Sequence, residues 1–165
     1  MKKHAIKNNK SKDNFYKTRF QVEHAMNIDA VGRLITKFLF QHQEIRIAYL
    51  YGSFIRGMQF EDIDVGIVLD SDFTPDHLYQ EGIALELEEN LRNTCNIKKP
   101  VDVRILNSVK NVRFLNSIMK NAKLLFSKNI LEKARFESKI LLDYFDMKPF
   151  YELYDKSRML RYESR

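Results

Sequence analysis

Two aspartates at i and i+2, Asp62 and Asp64, open an apolar run that ends at Leu69, and a Gly-Ser pair, Gly52 and Ser53, closes the apolar run before it. In an extended strand alternate side chains share a face, so Asp62 and Asp64 point one way while Ile63, Val65 and Ile67 point the other. Two carboxylates held side by side repel, and a divalent cation is the usual reason a fold tolerates them. The pairing suits phosphoryl or nucleotidyl transfer, in which one or two Mg²⁺ ions, roughly 3.5–4 Å apart when two are present, clamp the attacking and leaving oxygens. Gly52 permits close backbone approach, and Ser53 can open a short helix whose free N–H groups and hydroxyl face a phosphate.

A third carboxylate lies in Pro100–Leu106, PVDVRIL, where Val101, Val103 and Ile105 form one face and Asp102 and Arg104 the other. With that strand beside the one carrying Asp62 and Asp64, three carboxylates converge, two to hold metal and the third to ligate it or accept a nucleophile's proton. An Asp-x-Asp alone is common in surface turns, and a Gly-Ser is commoner still. The order carries the reading: strand, Gly-Ser, short connection, Asp-x-Asp entering a strand, then a further strand aspartate. A second Asp-x-Asp, Asp70 and Asp72, follows its strand among turn residues and reads as solvated loop carboxylates. Cys95 is the single cysteine, which excludes an internal disulfide, and no His lies near it to make it a nucleophile. His4, His24, His42 and His77 show no ligand spacing.

GSFIRG followed by DID, with a later strand aspartate, resembles the signature of the polymerase-beta-like nucleotidyltransferase superfamily. Arg56-Gly57 after the Gly-Ser is similar to its minimal nucleotidyltransferase (MNT) branch, which includes MntA-type antitoxins of HEPN/MNT toxin–antitoxin pairs. The resemblance implies an α/β (α+β) polymerase-beta-like fold, a mixed sheet of about four strands flanked by helices. It implies Asp62, Asp64 and Asp102 as the metal-binding and catalytic carboxylates, Gly52 and Ser53 as the triphosphate cradle, and Arg56 as a neutraliser of phosphate charge. Two Mg²⁺ ions and ATP follow as cofactor and substrate. The tail Tyr144–Tyr162 resembles the C-terminal helical segment of those antitoxins, whose partner is a HEPN ribonuclease toxin carrying the acceptor tyrosine.

The elements that must position these residues are legible in outline. At 165 residues, 44% hydrophobic and 30% charged, the chain reads as one domain with a continuous core. We divide it into a basic tail and uncertain helix over 1–27, a nucleotidyltransferase core over 28–127, and a C-terminal helical segment over 128–165. Met1–Asp13 is polar and Lys-rich, and Asn14–Asn27 carries Phe15, Phe20, Val22 and Met26 as docking residues. Ile28, Val31, Leu34, Ile35, Phe38 and Leu39 predict an amphipathic helix, followed by a strand over Ile45–Tyr51. Thr74 and Pro75 predict a helix start, with Tyr79, Ile83, Leu87 and Leu91 as its inward stripe to about Asn93. Next come a helix over Val109–Asn121, a strand over Lys123–Phe126 and a long helix over Lys128–Phe145. Its seam is Leu131, Ala134, Ser138, Leu141, Leu142 and Phe145, and Asp146–Lys148 breaks it before Pro149. A last amphipathic helix carries Phe150, Leu153, Tyr154 and Leu160.

No apolar run approaches the roughly 18–20 residues that span a bilayer, and the Lys-rich start lacks the apolar segment of a secretory signal, so a cytoplasmic protein is expected. The net charge of +6 invites nucleic acid as a partner, but much of the excess lies at the ends, and nucleic acid is not the favoured reading. The favoured function is Mg-dependent transfer of AMP from ATP to an acceptor hydroxyl, a tyrosine of a HEPN toxin, with the protein acting as antitoxin. The rivals are a catalytically silent toxin-binding module and a nucleotidyltransferase acting on a small molecule or RNA.

Overall fold

The computed structural model describes residues 28–163. The Lys-rich start and the docking residues Phe15, Phe20, Val22 and Met26 lie outside them. The scaffold is a four-stranded sheet ordered β3-β2-β1-β4. Strand β1 (Ile45–Tyr51) pairs antiparallel with β2 (Ile63–Leu69) and with β4 (Lys123–Ser127), while β2 and β3 (Val101–Ile105) run parallel. A parallel pair needs a crossover, and helix α3 (Tyr79–Cys95) supplies it.

One face of the sheet is covered by α1, helical over residues 28–39, and by α3. Val31, Ile35 and Leu39 of α1 and Ile83, Leu87 and Leu91 of α3 are buried against Ile63, Val65, Ile67, Val101 and Val103, as the three- and four-residue spacing predicts. The other face carries α4 (Val112–Asn121) and α5 (Ile130–Glu163), whose Leu115, Ile118 and Ile140 pack on Ile47, Tyr49, Tyr51 and Val68. Short helix α2 (Gly52–Ile55) follows β1 directly.

Four expectations are corrected. Helix α3 starts at Tyr79, not at Thr74-Pro75, because Asp76 closes a turn first: its side chain accepts from the Leu78 N–H at 2.9 Å. It ends on Asn96 at φ 55°, whose N–H bonds back to Arg92 O, placing Cys95 half-buried at the helix end. Helix α4 starts at Val112 rather than Val109 because the Asn111 side chain caps it, accepting from the Phe114 N–H at 3.0 Å.

The largest correction is α5, which continues through Pro149 for 34 residues instead of breaking before it. Phe145 and Pro149 lie on the exposed side of the helix, where the Phe145 carbonyl that proline leaves without its helical donor can be solvated. Tertiary contacts hold the second half: Arg113 makes a bidentate pair with Asp155 and lies over the Tyr151 ring. The predicted seam also faces outward. Leu131, Leu142 and Phe145 are 63%, 65% and 56% exposed, and Phe150, Leu153, Tyr154 and Leu160 are exposed as well. What packs inward is Phe136 and Ile140, with Glu137 accepting from the Tyr49 hydroxyl and Glu132 forking onto Arg46. Polar anchors reaching back to β1 set the rotation of α5, which a purely apolar count misses.

Candidate active site

At the end of β1 the chain turns at Gly52, whose φ is +82°, and enters α2 without a side-chain cap. Positive φ is strained for other residues, and here there is also no room: an ideal Cβ at position 52 would fall 1.7 Å from Asp64 Oδ2. Phe54 anchors α2 from below, fully buried and edge-to-face with Phe60 at 4.8 Å. That contact pins the connection between Gly-Ser and the aspartates.

Asp64 and Asp102 are register partners on the parallel strands β2 and β3, and Tyr51 is the antiparallel partner of Asp64. The three side chains share the face opposite Val65 and Val103, as alternation requires. Asp62 immediately precedes β2 and acts electrostatically on Asp64. Burial first, then the charges of Asp62 and Asp102, push the Asp64 carboxyl up to about 6, against smaller opposing effects from Arg104 and Arg56. Among the described residues no group of three or more His, Cys, Asp or Glu side chains stands ready to hold a metal ion. Asp102 accepts from Arg104 at 3.2 Å, and carboxylates without a cation between them repel.

These residues nevertheless fit a divalent cation. Asp64 and Asp102 are register partners on adjacent strands, Asp62 stands one residue before β2 and acts on Asp64, and oxygen-only donors are what Mg²⁺ takes. Beside them is a cleft of about 340 Å³ lined by Gly52, Ser53, Arg56, Asp64, Ser117 and Asn121, among others. Arg56 is exposed at its rim. The second Asp-x-Asp lies at the far end of β2, where the Asp70 side chain accepts from the Asp72 N–H.

Sequence reasoning missed the roof. Phe114, Ser117 and Asn121 of α4 border the cleft; Phe114 lies edge-to-face on Tyr51 at 6.1 Å and 5.3 Å beneath the Arg104 guanidinium. The alternation of PVDVRIL placed Arg104 on the Asp102 face but gave no sign that α4 would lie over it. Tyr51 was read as the end of a strand, and nothing local marks it as part of the site.

The fold matches solved structures described as toxin–antitoxin complexes. A chain of a toxin–antitoxin with AMP-PNP aligns at TM-score 0.63 and 21% identity, over 78% of this chain and 98% of that one. A chain of the toxin–antitoxin MntA-HepT aligns at 0.61 and 18%, over 79% and 98%. A chain of the tri-AMPylated Shewanella oneidensis HEPN toxin in complex with MNT antitoxin aligns at 0.59 and 17%, over 78% and 98%. No curated protein matches the chain. The family model described as Polymerase beta, Nucleotidyltransferase covers residues 34–131, a span that holds the Gly-Ser pair, all three aspartates and every strand of the sheet, and the chain belongs to that family.

Proposed function

We propose that this protein transfers AMP from ATP to an acceptor hydroxyl, a tyrosine of a HEPN-type toxin, and thereby acts as an antitoxin. The observation that carries the chemistry is the register of Asp64 against Asp102, with Asp62 one step before β2 and Gly52-Ser53 lining the same cleft as Asp64. In this reading Asp62, Asp64 and Asp102 would hold Mg²⁺, which when bound offsets charge on the triphosphate. Gly52 and Ser53 present backbone N–H groups and a hydroxyl to the phosphates, and Arg56 adds positive charge at the rim. Asp102 lies on the edge strand β3 and in this reading takes the acceptor's proton once Arg104 releases it. The work of the site is to position reactants and offset charge.

The partner is supported separately. Solved neighbours of this fold are toxin–antitoxin complexes, one with a tri-AMPylated HEPN toxin. Most of the exposed large apolar side chains lie on α5, and a helix that leaves an apolar face uncovered is made for a protein partner. That face also favours a second reading, in which binding alone silences the toxin.

Labelled ATP, Mg²⁺ and the co-expressed toxin decide between them. Label should enter the toxin with wild-type protein and not with Asp62→Asn/Asp64→Asn. Label undiminished in that variant would remove the metal assignment, and full protection by it without label would establish cover in place of chemistry.

A further inference from the structure

The Tyr51 hydroxyl is buried and has no hydrogen-bond partner among the described residues. The residue is 7% exposed. An orphan O–H in a native interior needs an account, because leaving a buried donor unmade is unfavourable.

Its surroundings supply one. Besides burial, the groups that act on the phenol are Asp64, Arg104, Asp102 and Asp62, in that order. Toward a carboxylate, which only accepts, the phenol can act only as a donor. Tyr51 and Asp64 are register partners on one face, which brings their Cβ atoms to roughly 4.5–5.5 Å. Asp64 meanwhile leans over Gly52, into the space that a Cβ there would fill. Asp102 already has an outer donor in Arg104, and the Phe114 ring supports both Arg104 and Tyr51. Among the described residues Asp64 has no such donor, while a donor without an acceptor lies beside it.

We infer that Tyr51 is a positioning residue for the metal site: its O–H donates to the Asp64 carboxylate oxygen left outward when Asp64 would hold a divalent cation. Ligating carboxylates are held by such outer hydrogen bonds, and their loss typically weakens metal binding about 10–100-fold. The inference rests on the metal reading proposed above.

Tyr51→Phe keeps the ring and its contact with Phe114 and removes only the oxygen. With Mn²⁺ as the probe, titrated calorimetrically into wild-type and variant protein, we expect the variant's affinity to fall about 10–100-fold. The metal-free variant should melt at the same temperature as wild type or higher, since an unsatisfied buried donor has been removed. Equal Mn²⁺ affinity in the two proteins overturns the inference while leaving the metal reading intact. Wild-type protein that binds no Mn²⁺ overturns both. A lower melting temperature for the metal-free variant overturns it too, because the hydroxyl would then be holding the fold and not the metal ligand.

Discussion

Asp64 Oδ2 occupies the space beside Gly52 that any side chain at position 52 would require, 1.7 Å from where its Cβ would stand. The glycine of the Gly-Ser pair and the second aspartate of the Asp-x-Asp are therefore one structural unit, contributed by the start of α2 and by β2. Gly52→Ala should displace Asp64 and strain a φ of +82°, destabilising the protein by at least about 1–3 kcal/mol. Nucleotidyl transfer should fall with it. Chemical denaturation read by circular dichroism checks the first effect and label transfer from ATP the second.

Replacing carboxylates should separate chemistry from folding. Asp62→Asn, Asp64→Asn and Asp102→Asn each remove charge from a repelling set, so stability should hold or rise while transfer falls at least about 100-fold. Melting temperatures and single-turnover rates measured side by side test this. A variant that loses stability in proportion to activity would place that aspartate in the scaffold.

The raised Asp64 carboxyl gives a pH dependence whose sign is fixed. Its folded pKa of about 6 lies above the ordinary aspartate value of 3.8, so the metal-free fold holds an extra proton between those values. The stability this contributes is fully present below about pH 4 and is lost as pH rises through about 6. Metal competes with that proton. Mg²⁺ should therefore raise the melting temperature more at pH 8 than at pH 5, and activity should decline as pH falls through 6. Melting curves at the two pH values, with and without Mg²⁺, show the difference directly.

Arg104 holds Asp102 at 3.2 Å and rests on Phe114. Arg104→Ala frees Asp102, so Mn²⁺ affinity in the absence of nucleotide should increase, while kcat falls if Arg104 also neutralises the triphosphate. Calorimetry and steady-state kinetics on one preparation report both.

On α5, Leu142 is 65% exposed and lies on the uncovered seam. Leu142→Asp should shift stability by no more than about 0.5 kcal/mol and should abolish co-elution with the co-expressed toxin. Size-exclusion chromatography of the pair reads the outcome.

The parts of the fold written in short-range pattern were legible beforehand. Ile45–Tyr51 as β1, the inward residues of α1 and α3, and the shared face of Asp102 and Arg104 all follow from period 3.6 or period 2. The starts of α3 and α4 failed on local side-chain contacts at Asp76 and Asn111, which the apolar pattern does not carry, and the larger failures depended on partners distant in sequence. The rotation of α5 is set by Arg46–Glu132 and Tyr49–Glu137, each spanning more than 80 residues, and its continuity past Pro149 by Arg113–Asp155. At the site, the Gly-Ser pair and the aspartates could be chosen by spacing. Tyr51 and Phe114 could not, because only the packing of α4 over the sheet brings them there.

Asp64 and Asp102 become neighbours only after α3 has carried the chain across to lay β3 parallel to β2. A chain still being synthesised, with residue 102 not yet in place, has the Gly-Ser turn and the first two aspartates but no third oxygen donor opposite them. On the metal reading proposed above, the full set of oxygen donors would therefore form late, with closure of the crossover.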